Sequence, residues 1–166
     1  MVNYLSWLRV FLAFVVVFFI LEREFGVALI LFVVGALTDW LDGNLARKNS
    51  EVNNFGKLLD PYADKLLVLL PLIALIETGK VKAIWVILLT FRELSISFLR
   101  SLAVEKGFYM EASLLGKLKT FLEFLSVSLI LAGIKLGEFL LGLSVVFAYI
   151  SGFDYLYKYL NYAKRA

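Results

Sequence analysis

The sequence predicts an all-α membrane protein of six transmembrane helices, and three observations lead there. Sixty-one per cent of the residues are apolar and the mean hydropathy is +0.86, against roughly 45–50% apolar in soluble domains. A water-soluble core has no use for that much apolar surface, whereas a bilayer does. Apolar stretches approaching the ~20 residues that cross a bilayer recur six times, joined by short links. Basic residues fall unevenly on the two sides that such an arrangement defines.

The first span is expected over residues 7–21, with residues 1–9 suited to a short N-terminal interfacial helix leading into it. Leu21, Glu22, Arg23 and Glu24 follow, with no small-residue cleavage site, so the run reads as a retained span and not a signal peptide. The second span covers 26–47, apolar as far as Leu37 and polar beyond, and the third covers 55–76 with its polar end first. The fourth, fifth and sixth cover 81–104, 114–134 and 138–159. Gly26, Gly79, Gly107 and the 133–137 region mark turns. The chain has 166 residues, and the whole of 1–166 reads as a single domain.

Six spans place both termini on one side. That side holds eleven basic residues, among them Arg9, Arg47, Lys48, Arg100, Lys117 and Lys119, and the other holds four: Arg23, Lys80, Lys82 and Lys135. The bias puts the termini in the cytoplasm, together with the segments 48–54 (KNSEVNN) and 105–113. A tyrosine-rich stretch, 149–162, reads as an aromatic belt at the same face.

The chain contains neither cysteine nor histidine. Disulfides, thiolate or imidazole zinc sites, and Ser-His or Cys-His nucleophilic catalysis are excluded. Any metal has to be held by oxygen, which favours Mg²⁺, Mn²⁺ or Ca²⁺. A net charge of +3 suits a membrane protein with a basic cytoplasmic face better than a nucleic-acid binder.

The chemistry concentrates in DWLDGNLARKNSEVNNFGKLLDPYAD, residues 39–64. Asp39 and Asp42 are three apart and share a face of the second helix; Asp60 and Asp64 are four apart and share a face of the third. The loop between makes the helices antiparallel neighbours, so both pairs lie at their cytoplasmic ends and can converge. Four clustered carboxylates repel one another unless divalent cations offset them, and such a set suits a two-metal site for phosphoryl chemistry. Ionisable groups at membrane depth are costly and point to function. The structural alternative, that Asp60 caps a helix beginning at Pro61, accounts for one aspartate and not four. Gly43, Ala46 and Gly56 lack bulk, so a ligand can approach the helices there, although small residues also serve helix packing. Arg47 offers a fork to a phosphate.

The spacing D-x2-D-G-x2-A-R-x8-G-x3-D-x3-D is met at Asp39, Asp42, Gly43, Ala46, Arg47, Gly56, Asp60 and Asp64. It resembles the signature of the CDP-alcohol phosphatidyltransferases. The resemblance implies six transmembrane helices in the inner (cytoplasmic) membrane, a homodimer, a cytoplasm-facing site and two bound divalent cations, Mg²⁺ or Mn²⁺. It implies that Asp39, Asp42, Asp60 and Asp64 hold metal and that Asp64 is also the base that takes the acceptor's proton. Gly43, Ala46, Arg47 and Gly56 would then line the nucleotide-lipid site with Asp39 and Asp42. The donor substrate would be CDP-diacylglycerol, with CMP as leaving group.

A second stretch bears on the acceptor. RELSISFLR runs from Arg92 to Arg100 and GKLKT from Gly116 to Thr120, across a short cytoplasmic loop. Arg92, Arg100, Lys117 and Lys119 form a basic pocket at the depth of the carboxylates, suited to a phosphorylated alcohol more than to a free one. Snorkelling and attraction to the inner leaflet are the structural alternatives, and Arg92 has the further option of pairing with a nearby acid. The pattern, with an opening N-x2-S-x2-R at Asn3, Ser6 and Arg9, is similar to the phosphatidylglycerophosphate synthase subgroup. That implies glycerol 3-phosphate as acceptor. Glu123 departs from the glutamine common in that subgroup, and it is placed to pair with Lys119 at i, i+4 or with Arg92. Two other readings stay open: a relative using another phosphorylated acceptor such as inositol phosphate, and a divalent-cation transporter with acids along its path.

Overall fold

The structure, a computed structural model, describes residues 2–46, 54–107 and 113–163, with side chains at 4, 6–38, 59–107 and 113–162. Six helices follow one another: α1 (Val2–Leu21), α2 (Phe25–Ala46), α3 (Asn54–Glu77), α4 (Ala83–Glu105), α5 (Leu114–Leu131) and α6 (Leu136–Ala163). Each coincides with an expected span to within a few residues. The chain is all-helical among the described residues.

The start differs from expectation. Val2 to Leu21 is one unbroken helix, so the separate interfacial helix expected over 1–9 is instead the first turns of α1. The physical reason is that Ser6 and Arg9 are buried and bond to α3, which ties those turns into the bundle. Asp60 also differs from the capping alternative, because α3 begins at Asn54 and Asp60 lies inside it.

Helix ends follow local chemistry. At the end of α3, Lys80 N–H reaches back to the Leu75 carbonyl and Gly79 N–H to that of Ile76, each at 3.0 Å, with Gly79 at φ 71°. This closure needs a left-handed residue, which glycine supplies without steric cost. The α1 end closes in the same way around Arg23, at φ 63°, with Glu24 N–H on the Phe19 carbonyl at 2.9 Å. A side chain there strains the backbone by about 1 kcal/mol, and Arg23 is exposed. Arg23→Gly is therefore expected to stabilise the protein by up to about 1 kcal/mol, read as a higher Tm in detergent.

The core is one cluster fed by all six helices, including Val16, Phe32, Leu67, Leu89, Val127 and Leu141. The closest pairings are α5 with α6 and α1 with α3. Gly137 permits the first: a methyl group there would lie 2.8 Å from the Ile130 backbone nitrogen. Ser126 Oγ donates to the Gly137 carbonyl across the same contact at 2.7 Å. In the second, Ser6 meets Asp60 and Arg9 meets Asp64, so α1 and α3 run parallel.

Large apolar side chains cover the outside as well. Phe11, Phe14, Ile30, Phe98, Phe121 and Phe153 are all more than half exposed, far beyond the scattered apolar residues of an ordinary surface. Residues Leu136–Tyr162, within α6, form a helix long and apolar enough to cross a membrane, and Ser6–Leu21 and Phe25–Thr38 are shorter apolar stretches. By length and composition the other helices do not qualify among the described residues. The reason is visible in α3, α4 and α5, which carry Asp60, Asp64, Lys65, Arg92, Glu93, Arg100, Lys117, Lys119 and Glu123. These ionisable residues build the site.

Candidate active site

Asp60 and Asp64 stand one turn apart on α3. Each is met from α1: Ser6 Oγ donates to Asp60 Oδ1 and Arg9 Nη1 to Asp64 Oδ1. The next residue, Lys65, donates to Ser97 Oγ on α4, and its ammonium lies 3.9 Å from Glu93 Oε2.

Glu93 is the hub of the interior. Its Oε1 accepts from Arg92 Nη1 and from Lys119 Nζ, each at 2.6 Å. Arg92 also gives Nε to the Ala148 carbonyl at 2.8 Å and Nη2 to Ser151 Oγ at 2.7 Å, so every nitrogen of its guanidinium has a partner inside the protein. Lys119 is shared with Glu123 on its own helix, at 3.1 Å. Burying these charges is tolerable because each faces an opposite one. Of the two pairings open to Glu123, this is the i, i+4 one.

A cavity of about 230 Å³ opens beside this network. From α3 it is lined by Asp64 and Lys65, and from α4 by Arg92, Glu93 and Arg100. From α5 come Lys117, Lys119 and Glu123, and from α6 comes Tyr155. Five basic against three acidic side chains leave a formal excess of two positive charges, close in size to the charge that a phosphate monoester carries at neutral pH, about −1.5 to −2. Tyr155 closes one wall. Its hydroxyl accepts from Ser113 N–H at 3.0 Å and more weakly from Arg100 Nη2 at 3.4 Å, and its ring lies 5.1 Å from the Arg100 guanidinium. Ser113 in turn caps α5, its Oγ accepting from Gly116 N–H at 3.1 Å.

The cavity thus brings together Asp64, Arg92, Arg100, Lys117 and Lys119. Asp39, Asp42, Gly43 and Ala46 fall on the last turns of α2 and Gly56 on the first turn of α3. Their side-chain positions, and Arg47 altogether, lie outside the described residues. So does the expected convergence of the two aspartate pairs.

Four residues at the site received no role from the sequence. Lys65 lies within the expected third span, and its place directly after Asp64 is the signal that could have found it. Glu93 follows Arg92 in RELSISFLR, and the buried acid paired with the arginine is this neighbour. Arg9 was assigned only to a pattern. Tyr155 was absorbed into the aromatic belt, yet it is buried and faces the cavity; nothing in its spacing distinguishes it from the neighbouring tyrosines.

Comparison with known proteins places the chain in a family. The CDP-alcohol phosphatidyltransferase family profile matches residues 1–150, and the chain belongs to that family. Among its relatives, a Bacillus subtilis protein named CDP-diacylglycerol–glycerol-3-phosphate 3-phosphatidyltransferase is 38% identical over 137 residues, covering 78% of this chain and 71% of its own. Proteins of the same name from Rickettsia typhi and Wigglesworthia glossinidia brevipalpis are each 35% identical. The first covers 92% of this chain and 93% of its own length, the second 87% and 85%.

Proposed function

We propose that this protein transfers the phosphatidyl group of CDP-diacylglycerol to glycerol 3-phosphate, giving phosphatidylglycerophosphate and CMP. The observation that carries this reading is a cavity in which Asp64 stands among a formal positive excess close to the charge of a phosphate monoester. The names of the relatives support the same reaction.

In this reading the phosphate of the acceptor sits against Arg100 and Lys117, and Lys119, held by Glu93 and Glu123, adds its charge. Arg92, whose nitrogens are held by Glu93, Ala148 and Ser151, adds its charge to the same wall. The acceptor hydroxyl then points to Asp64, whose carboxylate takes its proton as the oxygen attacks the phosphorus nearest the lipid. The bond from that phosphorus to CMP breaks, and CMP leaves with the electron pair. Gly43, Ala46, Arg47 and Gly56, with Asp39 and Asp42, line the nucleotide-lipid site.

Asp39, Asp42, Asp60 and Asp64 would hold two divalent cations, Mg²⁺ or Mn²⁺. The donors fit hard cations: they are carboxylates alone, Asp60 and Asp64 stand one turn apart, and Asp64 opens onto the cavity. When bound, such ions offset charge on the pyrophosphate and on departing CMP.

The reading includes six transmembrane helices, a homodimer, and a site facing the cytoplasm from the inner membrane. The spans and the orientation are supported by the apolar outer surface and the bias of basic residues, eleven to four, and the homodimer by the family resemblance alone.

The test is an assay of purified protein in mixed micelles with CDP-diacylglycerol, Mg²⁺ and one acceptor at a time. CMP should appear with glycerol 3-phosphate and far more slowly with inositol phosphate. CMP release that does not depend on glycerol 3-phosphate contradicts the assignment. Within that assay, Arg100→Ala should raise the KM for glycerol 3-phosphate by roughly 10- to 100-fold, since a hydrogen bond to a charged group contributes about 1.5–3 kcal/mol. The KM for CDP-diacylglycerol should stay close to that of the wild type. An unchanged acceptor KM removes Arg100 from the acceptor site.

A further inference from the structure

We infer that Ser6 and Arg9 of α1 are positioning residues that set the carboxylates of Asp60 and Asp64 for cation binding and proton uptake. The inference rests on the proposed function and extends it to a helix that the motif does not include.

The geometry is a two-point clamp. Ser6 and Arg9 are three apart on α1 and Asp60 and Asp64 four apart on α3, so on parallel helices the two pairs meet at matching levels. Each donor meets Oδ1 of its carboxylate. Two such contacts fix the axial level and the rotation of α3 relative to α1, and with them the planes of both carboxylates. The same stripe of α1 continues through Ala13, Val16 and Ile20, all fully buried. It is therefore apolar through the core and polar only where it meets the acids.

Exposure differs between the two partners. The Arg9 side chain is 2% exposed, while that of Asp64 is 33% exposed. Asp64 lines the cavity and Arg9 does not. A buried guanidinium therefore holds one oxygen of a carboxylate that itself opens onto the cavity. Burying a guanidinium costs several kcal/mol before pairing. If α1 had only to pack on α3, an apolar pair would serve with less cost. Outer partners of this kind orient metal-binding carboxylates, and their loss typically weakens metal affinity or activity about 10- to 100-fold.

The experiment compares wild type, Ser6→Ala, Arg9→Lys and Arg9→Gln, purified in detergent. Mn²⁺ binding without substrate is followed by electron paramagnetic resonance, beside kcat, both KM values and thermal unfolding. Arg9→Gln should lower Mn²⁺ affinity and kcat about 10- to 100-fold, with the KM for glycerol 3-phosphate near that of the wild type. Arg9→Lys, which keeps a charge but not the planar fork, should recover part of both. Ser6→Ala should lose several-fold in Mn²⁺ affinity, and it carries the comparison if Arg9→Gln fails to accumulate. Unchanged or tighter Mn²⁺ binding in Arg9→Gln, or in Ser6→Ala where that variant stands in, overturns the inference, because the side chain would then be a mere packing element or a competitor of the cation. Wild-type protein that binds no Mn²⁺ overturns the proposed metal site as well; normal wild-type binding beside an unaffected variant overturns this inference alone.

Discussion

Asp64→Asn is expected to abolish phosphatidyl transfer while CDP-diacylglycerol still binds. Asparagine keeps the shape of the side chain but cannot take the acceptor's proton, and general-base catalysis alone contributes about 10²- to 10⁴-fold. The change also removes the negative charge that faces Arg9 and one of the four carboxylates proposed to hold metal. Asp39, Asp42 and Asp60 remain, so some affinity for the nucleotide-lipid should survive. The check is CMP release together with binding of a CDP-lipid by the purified variant. Turnover at the wild-type rate refutes Asp64 as base. Loss of both turnover and binding would mean that Asp64 serves mainly to hold the donor substrate.

Glu93→Gln should cost more stability than any other single change at the site. Glu93 is buried, and it faces Arg92 and Lys119 at 2.6 Å and Lys65 at 3.9 Å. Glutamine fills the same volume but leaves these three cations with Glu123 as the remaining acid of the network. Removing one partner of a buried ion pair typically costs about 3–5 kcal/mol, which at this chain length corresponds to a fall in Tm on the order of 10 °C. Acceptor affinity should change with it, because Arg92 and Lys119 lose the carboxylate that sets their positions. A variant as stable as the wild type, with the same KM for glycerol 3-phosphate, would show that the cations do not depend on Glu93.

Much of this architecture could be read before any coordinates. Helix number and approximate bounds follow from apolar length and from glycines where the backbone turns left-handed, as Gly79, Gly107 and Gly133 do. The failures have a common physical origin. Periodicity describes one helix at a time, whereas the site is made by contacts between helices. A short polar beginning therefore suggested an interfacial helix at residues 1–9, because nothing in the local pattern reveals that Ser6 and Arg9 bond to α3. The capping alternative at Asp60 fails, because proline within α3 is accommodated and the helix begins at Asn54, next to the span start expected at 55. Arg92 takes the option of pairing with a nearby acid, its neighbour Glu93, and Lys119 pairs with Glu93 as well as with Glu123, which sets both apart from Arg100 and Lys117. The alternative of a cation transporter predicts acids spread through the membrane depth. Asp64, Glu93 and Glu123 instead line one cavity, interleaved with five basic side chains, an arrangement that would repel a travelling cation and attract an anion.

In the proposed reaction one cavity presents an acceptor's phosphate to cations and its hydroxyl to Asp64. A structure of the protein bound to glycerol 3-phosphate and a divalent cation tests it most directly. Phosphate oxygens are expected within hydrogen-bond reach of Arg100 and Lys117, and a hydroxyl within reach of the Asp64 carboxylate. Glycerol 3-phosphate bound elsewhere, or bound here with its hydroxyls turned away from Asp64, would contradict it.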